Sequence, residues 1–266
     1  MHAVNELRNQ VSSIRRYAKW LTAPKEEDRT GPFTDADAIF RYWVSLLEPG
    51  ISHAYQGAEQ ITITEVEVLK FQSILRSLGA HAKALVVLKL PMKGWEESHL
   101  HQLKRLQDLA FHFMALFCRA NTVNQKHVWT LLETASSGPG LMSFINAYLE
   151  SLDTALPVGP ALWDMLGEIL RDNEPLLYTE GDTFVVELLR ILAAVHTRIG
   201  SEASWVRLLT YLTACKGRLN NLNAQRILLW VEQNPTKIAL HSDARGFKKR
   251  TSGLNILGKA DGYDRP

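Results

Sequence analysis

Three histidines, His99, His101 and His112, fall in one stretch of helical periodicity, and imidazole is the side chain best suited to bind a metal or move protons near neutral pH. On a helix, residues 99 and 101 point about 200° apart, and only 101 and 112 share a face. His-x-His is a ligand spacing for strands, so a metal centre here would need a carboxylate or thiolate brought in from another helix. The expectation is partly exposed helix histidines and no metal. His53, His127, His196 and His241 are isolated and are read the same way.

Cys118 and Cys215 each sit inside an apolar helical pattern with no second cysteine nearby, which predicts buried free thiols. The chain carries no HExxH zinc helix and no GxxxxGK[ST] phosphate loop. It also lacks a GxSxG elbow, a GxGxxG turn and an Asp-rich helix for magnesium and diphosphate. Asp182, following Gly181, reads as an N-cap. A non-enzymatic protein without a cofactor is therefore expected.

Binding chemistry is the other source of function. Of the seven tryptophans, Trp43, Trp129, Trp163, Trp205 and Trp230 fall on apolar stripes and are expected in the core; Trp20 and Trp95 are less constrained. Net charge is +2, but from Lys237 to Pro266 seven Lys or Arg stand against three Asp. Within that segment Phe247, Lys248, Lys249 and Arg250 precede Leu254, Ile256 and Leu257, the composition of a flexible arm with a short motif for docking in a partner's groove. Thr251 and Ser252 beside that basic run are candidate phosphorylation sites. For nucleic acid, the alternative partner, Arg8, Arg15, Arg16, Lys104 and Arg105 would have to gather in one groove.

The elements that carry these residues read as helices throughout. Val4, Leu7, Val11, Ile14, Ala18 and Leu21 form a heptad seam that predicts an N-terminal helix packing on its own domain. A charged linker over 24–33 leads to a helix with Thr34 as N-cap and Asp37 at N3, stopped by Pro49-Gly50. Ile61 to Thr64 has strand-like composition, but Thr64 with Glu67 makes a capping box, and helix is the preferred reading. The apolar run Ala84 to Leu88 is assigned to a buried helix, and Trp95 to Arg119 is the longest helical pattern. Six more helices follow, around 123–134, 141–152, 162–171, 183–199, 203–216 and 222–233.

Glycines 138, 159, 181, 200 and 217 punctuate the second half about every 20 residues, and alternate helices recur at steps of roughly 40. The spacing resembles that of armadillo and HEAT units in architecture only. The predicted fold is all-α, about eleven helices in an irregular armadillo/HEAT-like stack or a helical bundle. Its organisation is an N-terminal helix and linker (1–33), a helical core (34–236) and a basic tail (237–266). At 266 residues it buries roughly 70–75% of its unfolded surface without needing a staple. No run of about 18 apolar residues predicts a membrane span, and the N-terminus does not read as a signal peptide. A reducing cytoplasm or nucleus and a protein partner are the expectation, with a non-enzymatic scaffold or adaptor as the leading function and an RNA-binding nucleoprotein as the alternative.

Overall fold

A computed structural model describes residues 2–21, 30–50, 52–53, 61–92, 95, 97–134, 140–152, 159–179, 181–195 and 202–234. The described chain is all-α. Its helices are α1 (His2–Leu21), α2 (Thr30–Leu47), α3 (Glu65–Ser77), α4 (Ala80–Leu88), α5 (Glu97–Cys118) and α6 (Thr122–Thr134). They continue as α7 (Gly140–Ser151), α8 (Pro160–Leu170), α9 (Glu174–Thr179), α10 (Gly181–Val195), α11 (Glu202–Thr213) and α12 (Asn221–Gln233). Two antiparallel pairs of two-residue strands complete it: Ser52–His53 with Ile61–Thr62, and Ala214–Cys215 with Arg218–Leu219. Lys216 and Gly217, both at positive φ, close the second as a two-residue hairpin.

The heptad seam of α1 is consumed in the core. Leu7, Val11, Ile14 and Ala18 are buried, and α1 packs on α2 and α4. At about 1.5–3 kcal/mol for each large apolar side chain removed from water, this seam ties the N-terminal helix to the rest of the domain. Its polar edge contributes as well, since Trp43 Nε1 on α2 donates to Gln10 Oε1 at 3.0 Å. Trp43 then packs edge-on against Phe40 and lies 5.1 Å from Phe113 of α5, centroid to centroid.

Three local expectations need correction. Helix α2 begins at Thr30, so Thr34 lies inside it and does not cap it; Pro32 falls in the first turn, where a missing N–H breaks no intrahelical bond. Likewise α10 begins at Gly181, which puts Asp182 in its first turn. Around Thr64 both sequence signals operate: Ile61–Thr62 is a strand, and the capping box starts α3 at Glu65. Thr64 holds the Glu67 carboxyl below its usual range through its backbone N–H and its hydroxyl. A short helix, α9, brings the number among the described residues to twelve.

Every third helix stacks on the one before: α2 on α5, α5 on α8, α8 on α11. The turns after α5 and α8 are built alike. Two residues beyond the ends of α5 and α8 stands a left-handed non-glycine residue, Ala120 at φ 53° and Asp172 at φ 55°. In each case the following asparagine caps the next helix: Asn121 Oδ1 accepts from Asn124 N, and Asn173 Oδ1 from Leu176 N. Asn220 begins α12 in the same way. Asparagine suits this place because its short amide accepts from the backbone three residues on.

The last carbonyls of α5 and α8 would be unpaired in the interior without a side chain to meet them. Gln72 Nε2 donates to Leu116 O and Arg119 O, while its Oε1 accepts from Asn121. Gln125 repeats the arrangement at the next joint, donating to Glu168 O and Arg171 O and accepting from Asn173. The glutamine and the arginine it serves are separated by 47 and 46 residues in the two cases.

Candidate functional site

Where stacking consumes the apolar stripes, chemistry has to be sought in what remains. His112 Nε2 faces Glu48 Oε1 at 3.2 Å, His99 stacks on Phe33, and His101 is exposed. Among the described residues no group of three His, Cys, Asp or Glu side chains is placed to hold a metal ion. His81 is buried on α4 and lies flat on Phe117, with ring centroids 5.1 Å apart. Burial pushes its pKa down to about 4, and the neighbouring His127 and Arg76 add to the shift. It is therefore a neutral core residue at pH 7. Cys118 and Cys215 are buried; burial raises both thiols, and Glu168 adds to the rise at Cys118.

Among the described residues Glu168 is the one buried carboxylate. Its Oε1 lies 3.5 Å from Arg119 Nε and 3.5 Å from Arg171 Nη1, and Arg171 sits 5.5 Å from the Tyr211 ring centroid. This cluster ties α5, α8 and α11 together, and its arginines are already committed to a carboxylate.

The five cations proposed for nucleic acid are dispersed in role. Lys104 is buried and pairs with Asp108 on its own helix, directly beneath Gly159. Arg105 Nε binds Asp37 at 3.0 Å. Arg8, Arg15 and Arg16 are exposed on α1, where Arg16 donates to Ser13 Oγ and approaches the Tyr17 ring. The candidate tail residues Phe247, Lys248, Lys249, Arg250, Leu254, Ile256 and Leu257 lie outside the described residues, as do His196, His241, Thr251 and Ser252.

The surface feature that sequence reasoning missed is on α12. Leu222 and Leu229, seven residues apart on one face, are 52% and 55% exposed. Arg226 and Gln233 lie on that face between and beyond them. Across a groove of about 400 Å³, α10 contributes Val186 and Arg190, and Trp230 forms part of the lining. Trp230 is 6% exposed, as expected of a core tryptophan, so the groove is anchored to the body. The available signal was the apolar run Ile227-Leu228-Leu229-Trp230-Val231: five consecutive apolar residues cannot all point into one stripe.

No protein-family model matches this sequence, and comparison with curated proteins returns no match. Among the described residues no helix is long and apolar enough to cross a membrane.

Proposed function

We propose that this protein is a non-enzymatic interaction scaffold, an armadillo-like stack that presents an extended helical surface to a protein partner in the cytoplasm or nucleus. The observation that carries this reading is the combination of a continuous helix ladder, α2–α5–α8–α11, with an apolar helix face left exposed at its end. Stacks of this kind bury their stripes between neighbours and offer partners the surfaces that stacking leaves uncovered. Exposed leucines on a regular helix are otherwise a solubility cost, and clustered ones mark interaction sites.

The test is size-exclusion chromatography of the full chain with quantitative affinity capture, followed by reconstitution of each captured protein from purified components. The scaffold reading expects at least one stoichiometric complex that survives reconstitution. A chain that stays alone under these conditions and turns over a small molecule contradicts it.

A further inference from the structure

We infer that the flank of α1 carrying Arg8 and Arg15 is a docking surface for a carboxylate-bearing helix of a protein partner. The inference rests on the scaffold reading and names where such a partner binds and what chemistry it presents. Its first support is the distribution of charge along the chain. Residues 2–21 hold four Lys or Arg against one Glu, whereas residues 22–236 hold nineteen against twenty-four Asp or Glu. The N-terminal helix is therefore basic on an acidic body. Elsewhere on the surface arginines meet carboxylates: Arg41 and Arg105 at Asp37, and Arg207 at Asp164. Arg8 and Arg15 do not. Both are exposed, and neither side chain has a hydrogen-bond or ion-pair partner among the described residues.

The second support is geometric. At about 100° per residue Arg8, Ser12 and Arg15 fall within about 60° of one another, and the two arginines stand about 10.5 Å apart along the axis. Gln10 and Tyr17 lie on the opposite flank, where they meet α2 through the Gln10–Trp43 bond and the side-chain interaction of Tyr17 with Asp35. Glu6, the one carboxylate of α1, is on that far side as well and accepts from Gln10. The arginine flank borders α4, the other helix packed on α1, and residues 80–89 contain Lys83 and Lys89 and no carboxylate. Ser12 turns its hydroxyl back to Arg8 O at 3.0 Å, so the space between the arginines holds neither charge nor bulk. Two cations two turns apart match carboxylates at i and i+7 of a helix lying alongside, and each guanidinium can take one in bidentate fashion. The segment 237–266, with seven Lys or Arg against three Asp, has the wrong charge to cover this flank, as has α1 of a second copy. A nucleic acid is disfavoured, because a polyanion running past the end of α1 meets the acidic body, and because Lys104 and Arg105 are already bound to Asp108 and Asp37.

The probes are fluorescein-labelled alanine-based helical peptides titrated into the full chain by anisotropy: one with glutamates at i, i+3 and i+7, a scrambled version of equal charge, and one with lysines in place of the glutamates. A short single-stranded RNA represents the competing class of partner. The glutamate helix is expected to bind at least tenfold more tightly than the lysine helix and at least threefold more tightly than the scrambled one, with affinity falling as salt is raised. Arg8→Glu with Arg15→Glu is expected to weaken it tenfold or more and to turn the preference to the lysine helix. Lys70→Glu with Lys126→Glu, an equal change of charge on α3 and α6, is expected to leave it unchanged. All four positions are exposed, and an unchanged circular dichroism melt verifies each fold. No binding of the glutamate helix, equal binding of the scrambled peptide, or indifference to the Arg8 and Arg15 substitutions overturns the inference. Tighter binding of the RNA than of the glutamate helix overturns it too, and gives the flank to nucleic acid. Loss of this site alone leaves the scaffold reading standing, since that reading fails on the reconstitution experiment.

Discussion

Gln125 is the most exacting place to test how the stack is joined. Its side chain is 1% exposed and makes three hydrogen bonds, two donated to the last carbonyls of α8 at 2.8 and 2.9 Å and one accepted from Asn173 Nδ2 at 3.0 Å. Gln125→Ala leaves two acceptors and one donor without that partner in the interior. A buried polar group stripped of its partner costs about 1–3 kcal/mol, carbonyls at the lower end because they have a second lone pair. The expected loss is about 3–5 kcal/mol. Gln125→Met separates the hydrogen bonds from the packing, because methionine refills most of the volume and restores none of the bonds. It should lose nearly as much as alanine. Gln72→Met supplies an internal replicate, since the same three bonds recur at the preceding joint. The assay is urea unfolding followed by both tryptophan fluorescence and circular dichroism, with hydrogen exchange of the turn amides at Arg171 and Asn173. If Gln125→Met unfolds within about 0.5 kcal/mol of wild type, the Gln125 amide is not what fastens α6 to the turn after α8.

His81 gives a pH signature. With its pKa lowered to about 4 in the fold and about 6.5 in the unfolded chain, the unfolded state binds the extra proton between those values; stability is full above pH 6.5 and is lost as pH falls toward 4. The drop is about 3 kcal/mol, and His81→Phe should flatten that part of the pH–stability curve while leaving the rest. Gly167 faces Tyr211, and a Cβ there would lie 2.9 Å from Cδ2 of the ring, so Gly167→Val should force α8 from α11 and cost about 1–3 kcal/mol, read as a lowered thermal midpoint. Cys118, fully enclosed and with its thiol raised, should resist Ellman's reagent in the native protein and react promptly in denaturant; fast native labelling at that residue would mean that α5 opens.

What could be read from the sequence was whatever is encoded locally. The seam of α1 and the capping box at Thr64 depend on residues within a few turns of one another, and both appear in the fold at those positions. Helix α9 escaped because six residues are too few to show a period, and Pro175 in its first turn reads as a breaker. The helices paired by the roughly 40-residue steps, α7 with α10, α8 with α11 and α10 with α12, each pack on one another, but α9 intervenes in the first two pairs and not in the third, so the steps do not define one repeat. The joints were harder to see. Arg119-Ala120-Asn121 and Arg171-Asp172-Asn173 are visible as similar triplets, but their meaning depends on Gln72 and Gln125, each nearly 50 residues upstream. The exposure of Leu222 and Leu229 on α12 was harder still to see, because periodicity registers apolar character and not whether a neighbour arrives to cover it.

The claim that this protein is an interaction scaffold is tested most directly by reconstituting the full chain with each captured protein from purified components and measuring the mass of the product by light scattering. The account predicts at least one complex of fixed stoichiometry. No complex with any captured protein would contradict it.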